Sequence, residues 1–267
     1  MLQELLYTLG VDPATYLKST FETSLIALFI LCCIHSCWVH GWKRTIREFT
    51  AGFILTATME NIGVLSGAYV YPGFSLYVYA TPLLNPLSWV AIVYIVMGFT
   101  NGLVYGDKST LAKEELLLLS GPYIKTLLIL ACIDASLLVM VDIIEDPLAT
   151  IYNWWIWVPY SDGVTMIESG VVDPYNFKNL VWMSTPNNEI SQYFSALYPE
   201  GFKYPTRFLG IPITNFIAWF ILVFTFSLST RWVEQKKEWS DIKKTSVLWA
   251  LMIPIMLVLP LTILLNI

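Results

Sequence analysis

Long apolar stretches constrain the fold of this chain more than any other feature. Six runs of roughly 20 residues contain few charges, and an α-helix needs about that length to cross the roughly 30 Å hydrocarbon core of a bilayer. Of all residues, 56% are hydrophobic and 13% are charged. The sequence therefore predicts an all-α, polytopic membrane helix bundle with about six transmembrane helices. The runs cover residues 21–40, 49–67, 83–105, 120–144, 209–230 and 245–266.

Positive charge is distributed unevenly between the two ends of these runs. Lys and Arg concentrate after the first, third and fifth runs, whereas the opposite ends contain few of them. Because Lys- and Arg-rich loops stay in the cytoplasm, the pattern predicts a multi-pass protein of the cell membrane with both termini outside. The basic group is Lys43, Arg44, Arg47, Lys108, Lys113, Lys125, Arg231, Lys236, Lys237, Lys243 and Lys244; the opposite group is Lys18, Lys178, Lys203 and Arg207.

The connection over residues 145–208 is the longest between two runs. Prolines divide it into short pieces, and it is rich in Trp and Tyr, which are favoured at the headgroup level of a membrane. We expect it to fold back on the bundle as an extended outer-face loop or lid. It would belong to a single transmembrane domain that covers residues 1–267.

Charge and cysteine content narrow the possible partners. A net charge of -5 without a long basic tract argues against nucleic acid as a partner. The 4 cysteines lie inside apolar runs and do not suggest a disulfide framework. Cys33, Cys37 and His40 share one helix face, but such a set without a second cluster is more typical of packing than of a metal site. We expect no metal and no cofactor, and the sequence does not constrain the oligomeric state.

Ionisable side chains inside the runs are the strongest functional signal, because each costs at least about 2.5 kcal/mol to insert. The candidates are Glu60, Asp134, Asp142, Glu145 and Asp146. Asp142 and Asp146 lie one helical turn apart and would project together as a carboxylate pair. In the predicted orientation, Glu60 and Asn215 occupy the same outer layer of the membrane.

Structural roles are the alternatives for these carboxyls. Glu145, Asp146 and Asp142 could be solvated at a helix end, and Glu60 could tie helices together through Asn215 or a backbone group. Asp134, in the middle of its run, is equally compatible with a structural tie and a functional role.

Three blocks of this sequence resemble the carotenoid biosynthesis membrane family that includes bisanhydrobacterioruberin hydratase and carotenoid 1,2-hydratases. Residues 59–67 (MENIGVLSG), followed by Tyr69, Tyr71, Gly73, Phe74, Tyr77 and Tyr79, are similar to its E-x-x-G-x-x-x-G and Y-x-Y signature. Residues 142–147 (DIIEDP) with Trp155 and Trp157 resemble its D-x-x-x-D-P and W-x-W block. Residues 210–219 (GIPITNFIAW) resemble its G-V-P-x-x-N-F-x-x-W block, while residues 159–207 look like an insertion relative to the family.

The resemblance implies addition of water across the terminal C1,2 double bond of an acyclic carotenoid, giving a tertiary alcohol without a cofactor. Under this hypothesis Glu60 or Asp142 is the general acid, Asp146 is the charge partner or base, and Asn215 orients the water. The expected partners are a carotenoid or other polyisoprenoid substrate and membrane lipid. The aromatic residues expected to bind substrate and stabilise a carbocation are Tyr71, Tyr77, Tyr79, Trp155, Trp157 and Trp219.

Two other classes of protein remain as alternatives. A proton-coupled carrier also uses intramembrane carboxylates, but no internal repeat is evident. The cytoplasmic half of the runs also offers few polar groups beyond Thr56, Asn101, Ser120 and Lys125. A non-catalytic carotenoid- or lipid-binding scaffold is the other alternative, with the aromatic loop as its docking surface.

Overall fold

The computed structural model describes residues 13–65, 68–71, 73–105, 123–151, 154–157, 207–208 and 211–264. These ranges contain six helices: α1 (Pro13–His40), α2 (Trp42–Leu65), α3 (Leu84–Tyr105), α4 (Tyr123–Ile151), α5 (Ile213–Glu234) and α6 (Asp241–Leu264). Four helices are long and apolar enough to cross a membrane, with candidate spans Tyr16–His40, Leu84–Val104, Ile124–Ala149 and Ile213–Glu234. The helical fold class and its suitability for a membrane agree with the sequence prediction.

The first two helices are joined by a very tight turn. Gly41 is the residue between them, and its φ of 83° lies in the left-handed region that glycine adopts without steric cost. Helix α2 thus begins at Trp42, well before the predicted start of the second run at residue 49. The predicted basic loop is therefore wrong here: Lys43, Arg44 and Arg47 lie in the first turns of a helix.

Ion pairs explain how these cations are accommodated inside a helix. Arg44 Nε donates to Glu48 Oε1 at 2.6 Å, and Arg47 pairs with Glu234 of α5. Arg47 also lies 3.4 Å from Asp241 of α6. This charged cluster joins α2, α5 and α6. We call the end of the bundle that contains it the basic end.

Helix α4 also extends further than the hydropathy pattern suggests. It continues through Pro147 to Ile151, so residues 145–151 are helical and not part of the predicted outer loop. Pro147 has no N–H to donate, so one helical hydrogen bond is missing there. The C-terminal end of the helix is held by Trp154 N–H, which donates to Ala149 O at 2.7 Å. Of the lid predicted over residues 145–208, residues 152–153 and 158–206 lie outside the described part of the chain.

The helices pack around an apolar core that fills the middle of the bundle. Helices α4 and α5 form the most extensive interface; α2 packs against α1, α3 and α6, and α3 also contacts α1 and α4. A second apolar cluster lies where α2 and α4 end and α5 begins. Fully buried side chains of the main core include Leu55, Val93, Val223, Leu248 and Met252.

Short antiparallel strands close the end of the bundle opposite the basic cluster. Strands β1 (Tyr69–Val70) and β4 (Ile156–Trp157) pair with Tyr69 opposite Trp157. This pairing joins the segment after α2 to the segment after α4. Strands β2 (Tyr77–Val78) and β3 (Thr81–Pro82) form a hairpin, and β5 (Arg207–Phe208) pairs with β6 (Ile211–Pro212) before α5. We call this region the strand-capped end.

Candidate functional site

Four polar residues singled out from the sequence line one cavity of about 80 Å³ at the strand-capped end. Glu60 comes from α2, Asp142 and Asp146 come from α4, and Asn215 comes from the first turn of α5. The structure thus gathers side chains from three helices that are far apart in sequence. The other lining residues are Tyr69, Tyr71, Asn85, Ser88, Trp89, Ile92, Leu138, Val141, Glu145, Trp155 and Trp219.

Glu60 is 4% exposed and is held by two phenols from the segment after α2. Tyr71 Oη donates to Glu60 Oε2 at 2.5 Å, and Tyr69 Oη donates to the same oxygen at 3.0 Å. Burial raises the pKa of both phenols well above their usual range, and the neighbouring Glu60 carboxyl raises it further. Both tyrosines therefore stay protonated and keep donating at neutral pH.

Gly63 provides the space that this arrangement requires. A Cβ atom added at Gly63 would lie 2.8 Å from Tyr69 Cε1 and closer still to the hydroxyl group. Gly63 therefore accommodates the ring that donates to Glu60. Gly67, the second glycine of the E-x-x-G-x-x-x-G signature, lies outside the described residues.

Asn215 links the two aspartates of α4. Its Nδ2 donates to Asp142 Oδ2 at 3.1 Å and to Asp146 Oδ2 at 2.6 Å. Asp146 is buried, and its carboxyl also interacts with the Trp155 side chain. The predicted pair therefore forms, because α4 remains helical through both residues, and a single amide joins its two carboxyls.

Aromatic rings form much of the remaining wall. Tyr71 contacts Trp155 edge to face, with ring centroids 5.9 Å apart, and the β1–β4 pairing explains their proximity. On another side, Trp89 of α3 and Trp219 of α5 have ring centroids 5.6 Å apart. A positive charge that developed in this cavity would meet both carboxyl groups and aromatic rings.

Three other residues were predicted to bind substrate, and two of them, Tyr77 and Tyr79, do not line the cavity. Tyr77 Oη donates to Tyr71 O at 2.7 Å and accepts from Phe74 N–H at 3.1 Å, so it shapes the loop and does not line the cavity. Tyr79 is 69% exposed and also does not line the cavity. The Trp157 backbone pairs with Tyr69, and its side chain lies outside the described residues.

Several lining residues were missed by sequence reasoning. Asn85 and Ser88 lie in the first turns of α3, and Trp89 follows them. In the sequence, Asn85 and Ser88 could have been found as two polar side chains, three positions apart, at the start of an otherwise apolar run. Glu145 was considered as a solvated residue at a helix end, and it also lines the cavity.

Asp134 belongs to a different cluster, about 12 Å along α4 from Asp142. It is fully buried, pairs with Arg231 Nη2 at 2.8 Å and accepts from Ser227 Oγ at 2.5 Å. Arg231 Nη1 also donates to Asn101 Oδ1 at 2.6 Å. We call these four residues the Asp134–Arg231 network. The prediction that Arg231 belongs to a basic loop after the fifth run is therefore wrong, because Arg231 lies in the last turn of α5 and is buried between helices.

Among the residues that the structure describes, no three His, Cys, Asp or Glu side chains are arranged to hold a metal ion. Cys33, Cys37 and His40, which share one helix face, do not form such a group.

The fold and the site together define a helical protein, suited to a membrane, with a small acidic and aromatic cavity at one end of the bundle. No protein-family model, curated protein or solved structure matches this chain.

Proposed function

We propose that this protein is a membrane-embedded carotenoid hydratase that adds water to the terminal C1,2 double bond of an acyclic carotenoid end. The observation that carries the proposal is the convergence of Glu60, Asp142 and Asp146 on one cavity whose other walls are largely aromatic. Hydration of an alkene by acid catalysis needs a proton donor, a negative environment for a carbocation and an oriented water molecule. This group of side chains offers all three without a cofactor.

The reaction would proceed through a tertiary carbocation. A carboxyl of the Asp142–Asp146 pair gives its proton to C2, which leaves the positive charge on C1. Water then adds to C1, and a carboxylate of the pair takes the extra proton, so the pair is regenerated and one water is consumed. Asn215, which already bonds both aspartates, is placed to orient that water.

Glu60 serves in this scheme as the fixed negative partner of the cation. Its Oε2 accepts two phenolic hydrogen bonds, which hold the carboxyl in one position. Cation–π contacts with Trp155 or the Trp89–Trp219 pair would add about 2 kcal/mol each in a desolvated site. The first proton donor is therefore assigned to Asp142, one of the two candidates named from sequence.

The size of the cavity suits the end of a long substrate. About 80 Å³ accommodates a few water molecules or a terminal group, but not a whole polyene. The rest of an acyclic carotenoid would lie along the apolar helix surfaces, which face the hydrocarbon if the bundle spans the membrane. Only the terminal double bond would meet the carboxyl groups.

Mass measurement of pigments tests the proposal directly. The full chain is expressed in cells that make acyclic carotenoids, and each hydrated end should increase the pigment mass by one water. Asp142→Asn and Glu60→Gln should abolish the product, whereas Glu238→Gln, which changes an exposed carboxyl outside the cavity, should leave it unchanged. Unchanged pigment masses with the folded wild-type chain would contradict the hydratase proposal. Bound pigment without a mass change would favour the scaffold.

A proton-coupled carrier is a second candidate because of the Asp134–Arg231 network. In the sequence, polar groups are scarce in the half of the bundle nearer the basic end, and this scarcity disfavours a carrier. Buried Asp134, Ser227 and Arg231 add polar groups at that level. Reconstituted vesicles with an internal pH dye would test this alternative: proton uptake that Asp134→Asn abolishes would favour the carrier.

A further inference from the structure

A second and larger cavity lies at the opposite end of the bundle from the carboxyl groups. Its volume is about 500 Å³, and residues of α1, α2 and α3 form most of its wall. Cavities of this size are typical of binding sites for small organic ligands. None of its lining residues belongs to the candidate hydratase site.

The apolar part of this cavity forms a cleft between α1 and α3. Leu31 and Ile95 line it and are 63% and 45% exposed, so they form its outer rim. Phe49, Val93 and Phe226 also line it and are buried, so they form its floor. If the bundle spans a membrane, the cleft opens sideways toward lipid.

The end of the cavity near the Gly41 turn is polar. His35 Nδ1 lies 2.6 Å from Tyr94 Oη, and both residues line the cavity. His40 lines it as well, and its Nδ1 atom is buried without a hydrogen-bond partner among the described residues. Arg44 and Glu48 form an ion pair in the same wall, so this end contains positive and negative charge in equal number.

We infer that this cavity binds a neutral, single-chain amphiphile with a hydroxyl head group, namely a long-chain lipid alcohol. The chain would lie in the cleft between α1 and α3, and the hydroxyl would donate to His40 Nδ1. A buried nitrogen of this kind favours a ligand that can hydrogen-bond over a pure hydrocarbon. Arg44 is already paired with Glu48 and also lies 3.9 Å from Glu234, so the described residues at this end offer no unpaired cation for a phosphate or carboxylate head group. The inference is independent of the proposed hydration reaction.

Photo-crosslinking of the purified full chain locates the ligand. The probe is hexadecanol with a diazirine in its chain, and peptide mass spectrometry should find the label on α1 and α3. Gly98→Phe fills the cavity from its wall and should reduce this labelling about tenfold. Gly102→Phe is the matched control, since a Cβ atom has open space at both glycines but Gly102 does not line the cavity. Equal labelling of the two folded variants would overturn the proposed site.

The head-group assignment has its own test, which needs no variant. Unlabelled hexadecanol should compete with the probe, whereas palmitate and hexadecyl phosphate should compete at least about tenfold more weakly, as expected for the loss of a matched polar contact. Stronger competition by either anion would overturn the assignment of a neutral head group. His40→Phe should weaken labelling by the alcohol probe about tenfold but not labelling by the matching alkane probe, and equal effects on both would exclude His40 as the hydroxyl partner.

Discussion

At the scale of single residues, the contacts of Glu60 are the most specific feature of the candidate site. A carboxyl inside a helix bundle is costly unless it is hydrogen-bonded, and two phenols meet this requirement. Both phenols come from the loop just after the helix that carries Glu60, so their approach depends on local geometry. Gly63 supplies that geometry by leaving room for the Tyr69 ring.

Removing one phenol should destabilise the fold and the site together. Tyr71→Phe deletes the 2.5 Å hydrogen bond to Glu60 but keeps the ring against Trp155. We expect the free energy of unfolding to fall by about 1–3 kcal/mol, because a buried carboxyl loses a partner. Thermal unfolding in detergent measures this effect. Tyr79→Phe, at an exposed position, is the control, and an equal shift in both variants would contradict the special role of Tyr71.

The clash expected at Gly63 can be tested with a double variant. Gly63→Ala should destabilise the protein by about 1–3 kcal/mol, because its new methyl group overlaps the Tyr69 ring. Gly102→Ala, where a Cβ atom meets nothing within 4 Å, should be neutral or slightly stabilising in the same helix-rich fold. In a Tyr69→Ala background the penalty of Gly63→Ala should largely disappear. If Gly63→Ala is equally destabilising in that background, its methyl group does not clash with the Tyr69 ring.

At the scale of helices and strands, buried ion pairs determine which helices are neighbours at the basic end. Asp134 on α4 pairs with Arg231 on α5, and Arg47 on α2 pairs with Glu234, one turn further along α5. Each pair determines which two helices are neighbours and how one helix is aligned along the other. At the strand-capped end, backbone pairing of β1 and β4 brings Tyr71 and Trp155 together instead.

Removing one partner of the Asp134–Arg231 pair should destabilise the protein more than replacing both partners with apolar residues. Arg231→Met leaves a buried carboxylate without its charge partner and should cost about 3–5 kcal/mol. Asp134→Leu combined with Arg231→Met removes both charges and should recover much of that loss. Urea or thermal unfolding of the two variants provides the comparison. If the double variant is as unstable as the single one, the network has a role beyond charge pairing.

The exposed start of α6 should give a small pH dependence. A hydrogen bond from Lys43 lowers the pKa of Asp241 below its usual 3.8, with further help from Arg47. A lowered pKa in the folded state means stability that is present above about pH 4 and is lost as the pH falls through the folded value. Asp241→Asn should therefore lower the melting temperature slightly at pH 7 and have no effect near pH 2. A difference in melting temperature between the wild type and Asp241→Asn that grows toward acid pH would contradict this explanation.

At the scale of the whole molecule, the polar groups form two separate levels in an otherwise apolar bundle. One level contains the carboxyl cavity at the strand-capped end, and the other contains the ion pairs and the larger cavity near the Gly41 turn. Lys43, Arg44 and Arg47 lie near the second level, and Lys43 pairs with Asp241 at 3.0 Å. If the bundle spans a membrane, the positive-inside rule predicts that the carboxyl cavity is on the outer side.

Accessibility of engineered cysteines tests this orientation. In a chain whose 4 native cysteines are replaced by serine, Tyr79→Cys and Glu238→Cys mark exposed positions at the two ends of the bundle. A membrane-impermeant maleimide should label the first in intact cells and the second only after permeabilisation. The reverse pattern would place the carboxyl cavity in the cytoplasmic half and invert the predicted topology.

The amino-acid sequence by itself determined the helical class and the pairing of Asp142 with Asp146 on one helix face, because both are local properties. A run of apolar residues has few alternatives to a helix in lipid, and Asp142 and Asp146 share a face wherever that helix persists. The tertiary structure alone decided which side chains meet: Asn215 bridging two aspartates, Tyr69 and Tyr71 bonding Glu60, and Arg231 turning inward to Asp134. These contacts join distant segments, and their energies depend on burial and distance, which hydropathy and spacing do not contain. For the same reason the boundaries at Trp42 and Ile151 were missed, since ion pairs and strand pairing hold charged or proline-containing segments in place.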